Sequence, residues 1–209
     1  YNLYQFLRQN QWSNELRYSG TLGPVAATVG AFYYSDHMNY IEARDLVANA
    51  VHRTGGGVQA SETYALFSSF DIKLPLDFTL NLGARYSGET KHAQVQVVGD
   101  NGPANPCSTV TQRCGSFGFS DSHTWNSFTP KVGFQWQPAA STNLYAFWTK
   151  GFRSGGYNVR QTALTSPPGP YDQEVETTFE LGLKQSAFQK KARVGISLFK
   201  NKYRNLDRK

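Results

Sequence analysis

The stretch Phe128-Thr129-Pro130-Lys131-Val132-Gly133-Phe134-Gln135-Trp136 decides the fold. Phe128, Val132, Phe134 and Trp136 fall on one parity, and Thr129, Lys131, Gly133 and Gln135 on the other. A period of two is the spacing at which successive side chains leave a β-strand on opposite faces. In 78–87, Phe78, Leu80, Leu82, Ala84 and Tyr86 alternate with Thr79, Asn81, Gly83, Arg85 and Ser87. In 174–184, Val175, Thr177, Phe179, Leu181 and Leu183 alternate with Glu174, Glu176, Glu180, Gly182 and Lys184. In 192–198, Ala192, Val194, Ile196 and Leu198 alternate with Arg193, Gly195 and Ser197. Weaker strands read at 12–19, 24–35, 62–73 and 142–152, the last apolar on both parities from Leu144 to Trp148.

These segments exceed the ~5–6 residues usual in a soluble strand and suit the ~9–11 of a tilted spanning strand. Their connections alternate between short and long. Short turns read at Gly20-Thr21-Leu22-Gly23, Leu74-Pro75-Leu76-Asp77, Pro138-Ala139-Ala140-Ser141 and 186–190. Long stretches read at about 36–61, with Gly55-Gly56-Gly57, at about 88–124, and at about 153–173, with Pro167-Pro168-Gly169-Pro170. Tight turns on one side and long loops on the other are the pattern of a membrane β-barrel. Two hairpin registers follow from keeping apolar side chains opposite one another. The first sets Phe134 opposite Ala146, Trp136 opposite Leu144 and Val132 opposite Trp148. The second sets Phe179 opposite Leu198, Leu181 opposite Ile196 and Leu183 opposite Val194, with the unfavourable juxtaposition of Lys184 and Arg193.

Alternation leaves open whether the apolar face meets lipid or a dry interior, as in a soluble up-and-down barrel that binds an apolar ligand. Three features favour apolar-out. Aromatics cluster near strand ends: Phe78 and Trp136 beside short turns, Tyr33, Tyr34, Tyr86, Trp125, Trp148 and Phe152 towards long loops. The polar parity is rich in Gly, Ser, Thr, Asn and Gln, which suits a hydrated lumen. Loops of this length on one side only are unusual in small soluble barrels. The expected fold is therefore all-β: an antiparallel transmembrane β-barrel segment of about eight meandering strands, with 1–209 forming part of one barrel domain.

Composition agrees. Mean hydropathy is −0.50, and no stretch approaches the ~20 consecutive apolar residues of a spanning helix. A net charge of +6 permits a nucleic-acid partner, but the basic residues are dispersed until Lys200-Asn201-Lys202-Tyr203-Arg204, so no nucleic acid is expected. Tyr1 is not an initiator Met, and the sequence reads as an internal piece or a mature segment. No nucleophile elbow, Walker loop or dinucleotide fingerprint is present, and Gly55-Gly56-Gly57 reads as loop flexibility. An enzyme is not expected, nor a cofactor.

The run Lys150-Gly151-Phe152-Arg153-Ser154-Gly155-Gly156-Tyr157-Asn158 resembles a loop of TonB-dependent outer-membrane receptors. It follows Leu144-Tyr145-Ala146 and precedes Glu174-Val175-Glu176-Thr177-Thr178-Phe179-Glu180-Leu181-Gly182-Leu183-Lys184, in the order seen in that family. Asn14-Glu15-Leu16-Arg17-Tyr18, Gly83-Ala84-Arg85-Tyr86 and Ser197-Leu198-Phe199-Lys200-Asn201-Lys202-Tyr203 support the resemblance, which covers the strands but little of the long loops. It implies a 22-stranded barrel closed by an N-terminal plug in the bacterial outer membrane. It also implies uptake of a scarce nutrient, most often a ferric siderophore, powered by the TonB complex. Outer-membrane lipids and a surface lipoprotein are expected partners. The chain departs from the family pattern in lacking a plug or TonB box before Tyr1, in its eight strands, and in the absence of a terminal aromatic after Leu206. These departures read as a barrel fragment; a passive pore or structural barrel without energy coupling is the alternative.

On that reading, ligand contacts come from the long loops, and Arg153, Tyr157 and Arg160 are the candidates. Cationic and aromatic groups suit an anionic, ring-bearing iron chelate. Cys107 and Cys114, together in the 88–124 stretch, are expected to form a disulfide if that stretch is extracellular. Glu174, Glu176 and Glu180 read as lumen lining and not as an acid–base pair. Arg17, Arg85, Lys131 and Arg193 are expected to pair with glutamates on neighbouring strands or on a plug. His37, His52, His92 and His123 lie in or beside long loops without ligand spacing, so no metal site is expected. Haem is disfavoured because Ser154-Gly155 stand where haem receptors have Ala-Pro. Asp100-Asn101-Gly102 reads as a turn, not a calcium loop.

Overall fold

The structure, a computed structural model, describes residues 2–46, 51–100, 107–115, 117–160, 167–189 and 191–206. Eight long strands are β1 (Asn2–Leu22), β2 (Val25–Leu46), β3 (Val51–Leu74), β4 (Phe78–Asp100), β7 (Phe119–Ala139), β8 (Thr142–Arg153), β9 (Glu174–Ala187) and β10 (Ala192–Arg204). A two-residue pair, β5 (Cys107–Ser108) and β6 (Arg113–Cys114), forms a separate small hairpin. The eight make one antiparallel meander in sequence order, with β1 and β10 as its edges. The sheet is open within this chain.

The two faces differ as the alternation predicts. Leu16, Tyr18, Leu66, Phe128, Phe134, Phe179, Leu181, Ile196 and Leu198 share one face and are all more than half exposed or close to it. No described residue of this chain covers them. Apolar area of this extent, left bare on a regular sheet, belongs against hydrocarbon. Aromatics bound the band. Phe78 stacks on Trp136 across β4 and β7 at 5.5 Å beside the short turns, and Trp12 and Tyr33 lie at 5.6 Å towards the other side.

The opposite face is polar, and its cations rest mainly on rings. Arg85 lies over Phe32 at 5.3 Å and Phe67 at 5.8 Å, and Lys131 lies over Phe147 at 5.2 Å. The expectation for both was a glutamate on a neighbouring strand or on a plug; within this chain it is aromatic faces that lie against them. Arg17 does pair with a glutamate, Glu15, two residues along its own strand. The three glutamates of β9 are each engaged from a neighbouring segment. Tyr145 donates to Glu180 at 2.6 Å, Tyr203 donates to Glu176 at 2.8 Å, and Arg153 lies 3.8 Å from Glu174. Tyr145 and Phe147 explain the apolar character of both parities in β8: they line the inner face while Leu144, Ala146 and Trp148 face outward. Gly182 makes room for this, since a Cβ there would sit 2.4 Å from the Tyr145 ring.

The short turns place residues in left-handed backbone, a glycine in one and non-glycine residues in another. Gly23 has φ of 56° and precedes Pro24, whose ring forbids positive φ. That order selects a type II′ hairpin, whose twist matches the strands it joins. Leu76 and Asp77 both have φ of 61° in the β3–β4 turn.

Two expectations are corrected. The stretches 36–61 and 88–124 are largely strand, with β2, β3, β4 and β7 continuing well past the aromatic band. His37, His92 and His123 accordingly lie in strands and not in loops; most of the Asp100-Asn101-Gly102 turn falls outside the described residues. The β7–β8 register is as expected, with Phe134 opposite Ala146 and Val132 opposite Trp148. The β9–β10 register is displaced by two residues: Leu181 faces Leu198 and Phe179 faces Lys200. The displacement keeps every side chain on its face and removes the like-charge contact, setting Lys184 opposite Gly195 and Arg193 opposite Ser186.

The bare face yields a direct expectation for the intact barrel in lipid. Leu82→Arg, near the middle of the band, should destabilise it by ~2–4 kcal/mol, while Asn81→Arg on the inner face should cost much less. Denaturant unfolding in liposomes reads the difference; equal losses would show that both faces meet the same medium.

Candidate functional site

The buried core lies outside the apolar band, where the strand extensions meet the segment that follows β8. Ser154-Gly155-Gly156-Tyr157 turns inward over the polar face. Gly155 permits the approach: a Cβ there would lie 1.9 Å from the Tyr171 carbonyl oxygen and 2.5 Å from Trp125 Nε1. The returning chain is tied to it by the Tyr171 N–H donating to the Gly156 carbonyl at 2.9 Å and the Asn158 N–H donating to the Pro168 carbonyl at 2.6 Å.

Three inner-face side chains of the extensions hold this segment. Lys91 Nζ on β4 donates to Ser154 Oγ at 3.0 Å and to the Gly155 carbonyl at 2.7 Å. The same ammonium pairs with Glu89 at 3.0 Å and lies over the Trp125 ring at 5.6 Å. Tyr157 donates its hydroxyl to Asp121 Oδ2 on β7 at 3.0 Å. Its ring packs edge-on to Trp125 at 6.2 Å and tilted to Phe119 at 6.0 Å. Ala93, Trp125 and Tyr157 are buried together. Each aromatic contact contributes ~0.5–1.5 kcal/mol and the hydrogen bond ~1 kcal/mol, enough in sum to fix the segment.

A second anchor lies on β2. Glu42 is fully buried and accepts hydrogen bonds from Tyr40 Oη at 2.6 Å, from Arg160 Nε at 2.6 Å, from Gln5 Nε2 at 3.4 Å, and from Arg44. Burial works to raise its pKa, but the hydrogen bonds from Tyr40, Arg44 and Arg160 prevail and hold it below the ordinary 4.5. Burial and the adjacent carboxylate push Tyr40 up to about 12. Tyr157 is likewise raised, first by burial and then by its bond to Asp121.

The structure thus gathers two of the three candidate residues on one segment and gives them different surroundings. Tyr157 is 6% exposed, with ring and hydroxyl engaged by protein. Arg160 is fixed by Glu42 yet remains 49% exposed. Arg153, at the end of β8, is 74% exposed. Sequence reasoning missed Glu42, Lys91 and Asp121, which lie in extensions read as loops, and it counted Trp125 and Tyr34 among outward girdle aromatics although their parity turns both to the inner face. The inner parity of Asp121, His123 and Trp125 was the available signal.

Cys107 and Cys114 are disulfide-bonded across β5 and β6. This hairpin sits against the other face of the extension: Thr54 Oγ1 donates to the Cys107 carbonyl at 3.3 Å and Asn39 Nδ2 to the Gln112 carbonyl at 3.2 Å. Ile41, on that face of β2, is fully buried. Among the described residues no three His, Cys, Asp or Glu side chains gather as metal ligands; His123 packs on Trp125 at 4.6 Å.

Comparison with known proteins accords with this architecture. The family model described as "TonB dependent receptor-like, beta-barrel" matches residues 1–206. The ferric yersiniabactin uptake receptor FyuA from Yersinia pestis superposes with a TM-score of 0.75 at 19% identity, covering 94% of this chain and 29% of that one. The siderophore receptor PiuA from Acinetobacter baumannii gives 0.69 at 13% identity, covering 93% and 32%. The alcaligin outer-membrane receptor FauA from Bordetella pertussis gives 0.60 at 14% identity, covering 96% and 30%. The chain therefore spans about a third of the length of these structures, which share its fold. A match running almost from end to end places this chain in the TonB-dependent receptor family, as a segment of its β-barrel.

Proposed function

We propose that this chain forms part of a bacterial outer-membrane importer that captures a scarce nutrient, most specifically a ferric siderophore, and is energised by TonB through a plug domain lying outside this chain. The observation that carries the reading is the segment after β8. It is bound to the inner wall by Lys91, Asp121 and Glu42, and it holds Arg160 half-exposed at the mouth of the polar face. Arg153 stands exposed where β8 ends. Two cations at the mouth suit the carboxylate, catecholate or hydroxamate oxygens of an iron chelate, to which guanidinium groups donate charge-assisted hydrogen bonds. Tyr157 serves this site by fixing the backbone between them. Membrane lipids surround the band, and a surface lipoprotein is a further candidate partner on the long-loop side.

Replacing both Arg153 and Arg160 by Ala in the intact receptor should weaken capture of its ferric chelate at least about ten- to a hundredfold, as expected for the loss of one charge-assisted hydrogen bond at ~1.5–3 kcal/mol. Heat-modifiable gel migration should remain that of a folded barrel. Titration of a ferric-siderophore panel by tryptophan quenching measures the affinity; an unchanged value would remove both residues from the site. Uptake that persists without TonB would favour a passive pore.

The Glu42 anchor gives a pH dependence of definite sign. Its carboxyl is held below 4.5, so its contribution is complete above that value and is lost as the pH falls below it. Hydrogen exchange in 154–160, corrected for intrinsic rates, should quicken on passing from neutral pH to below 4.5. Glu42→Gln should show quickened exchange already at neutral pH and little further change. A wild-type segment equally protected at both pH values would contradict the assignment.

A further inference from the structure

The outward face of β8, β9 and β10 carries a feature that nutrient import does not use. Phe134, Ala146, Leu181 and Leu198 form one lateral row across four strands. Ala146 ends at its Cβ between larger neighbours, and the row dips there into an open groove of ≈ 630 Å³. Trp148 and Phe179, in contact at 6.4 Å, form its upper wall, and Lys200 stands at its rim.

Directly above the groove the same face turns cationic. Lys200 is opposite Phe179; Lys150, Thr177 and Lys202 form the next row; Phe152, Val175 and Arg204 form the row beyond. Strands lie ~4.8 Å apart and alternate residues ~6.7 Å apart, so the four cations Lys150, Lys200, Lys202 and Arg204 fall within one headgroup-sized patch. None makes an ion pair among the described residues. Charge is segregated by face: the three glutamates of β9 all point inward, where Arg153, Tyr203 and Tyr145 engage them. The outward parity of these strands carries no carboxylate. Four uncompensated cations at the edge of an apolar band, above a groove open to the band, match an amphiphile whose anionic head and apolar tail have the same order.

We propose that this face binds a phosphate-bearing lipid of the leaflet on the long-loop side. An acyl chain lies in the groove over Ala146, and phosphate is held between Lys150, Lys200 and Lys202, with Arg204 behind them. The proposal rests on the transmembrane reading and not on the imported ligand, so failure of ferric-chelate binding would leave it standing.

The test uses the intact receptor in a non-ionic detergent, with bisphosphorylated lipid A as probe and native mass spectrometry as readout. The wild type should retain the lipid. The variant carrying Lys150→Gln, Lys200→Gln, Lys202→Gln and Arg204→Gln should retain about tenfold less at equal lipid. Ala146→Phe, which fills the groove and leaves the charges, should also lower retention. Heat-modifiable migration verifies folding; if the quadruple variant fails to fold, Lys202→Gln and Lys200→Gln singly should each lower retention in part. Equal retention by the charge variants would overturn the proposal. So would equal retention of a diacylglycerol, which has the tails without the phosphate and would mean a non-selective lipid annulus, or displacement by millimolar inorganic phosphate, which would mean a site for the free anion.

Discussion

Inside hydrocarbon no water is available to a peptide group, so every backbone N–H and C=O in the band must find its partner in the protein. The meander of β1–β4 and β7–β10 answers that requirement with continuous antiparallel pairing. Pairing in turn fixes the pleat, and the pleat sends alternate side chains to two different solvents. Leu82, Phe134, Leu181 and Ile196 go to lipid; Arg85, Lys131, Tyr145 and Glu180 go to the lumen. On the lumen face the cations Arg85 and Lys131 lie over aromatic rings, and the tyrosines reach the glutamates, so polar groups are satisfied on a wall without a packed layer behind it.

Beyond the band the requirement relaxes, because water can serve an unpaired group. The strands nevertheless continue, and the architecture changes from a two-solvent sheet to one with protein on both sides. The segment after β8 packs on the inner face through Tyr157, Trp125 and Lys91, and the disulfide hairpin packs on the outer face beside Ile41. That double packing accounts for the location of the only substantial buried cluster among the described residues. It also makes the mouth a built surface, with Glu42 setting the position of Arg160.

The band was legible in the sequence because its physics is periodic. Phe128, Val132, Phe134 and Trp136 carry one message at one spacing, and the β7–β8 register follows from it. The extensions were not legible for the same reason: with water or protein on either side, Asp36-His37-Met38-Asn39-Tyr40 has no cause to alternate, and it reads as a loop although it is strand. Gly55-Gly56-Gly57 misled similarly. Gly56 lies in β3 because a Cβ would fall 2.1 Å from the Tyr40 carbonyl oxygen, a matter of close approach and not of flexibility. The two-residue displacement of β9 against β10 was invisible to alternation, which any even shift preserves; the turn sets it. The candidates Arg153, Tyr157 and Arg160 were chosen as cationic and aromatic residues of the long stretch after β8, but the side chains that hold that stretch come from distant strands, and no local pattern announces them.

The account stands on which medium touches the alternating apolar groups. Single cysteines placed at Phe134, Leu181 and Ile196, and others at Lys131, Glu180 and Ser197, can carry a fluorophore in the intact receptor within a bilayer. Quenching by a lipid-borne nitroxide and by aqueous iodide then reports each environment. The account predicts lipid quenching for the first set and iodide quenching for the second; the reverse assignment, or protection of the first set from both quenchers, would contradict it.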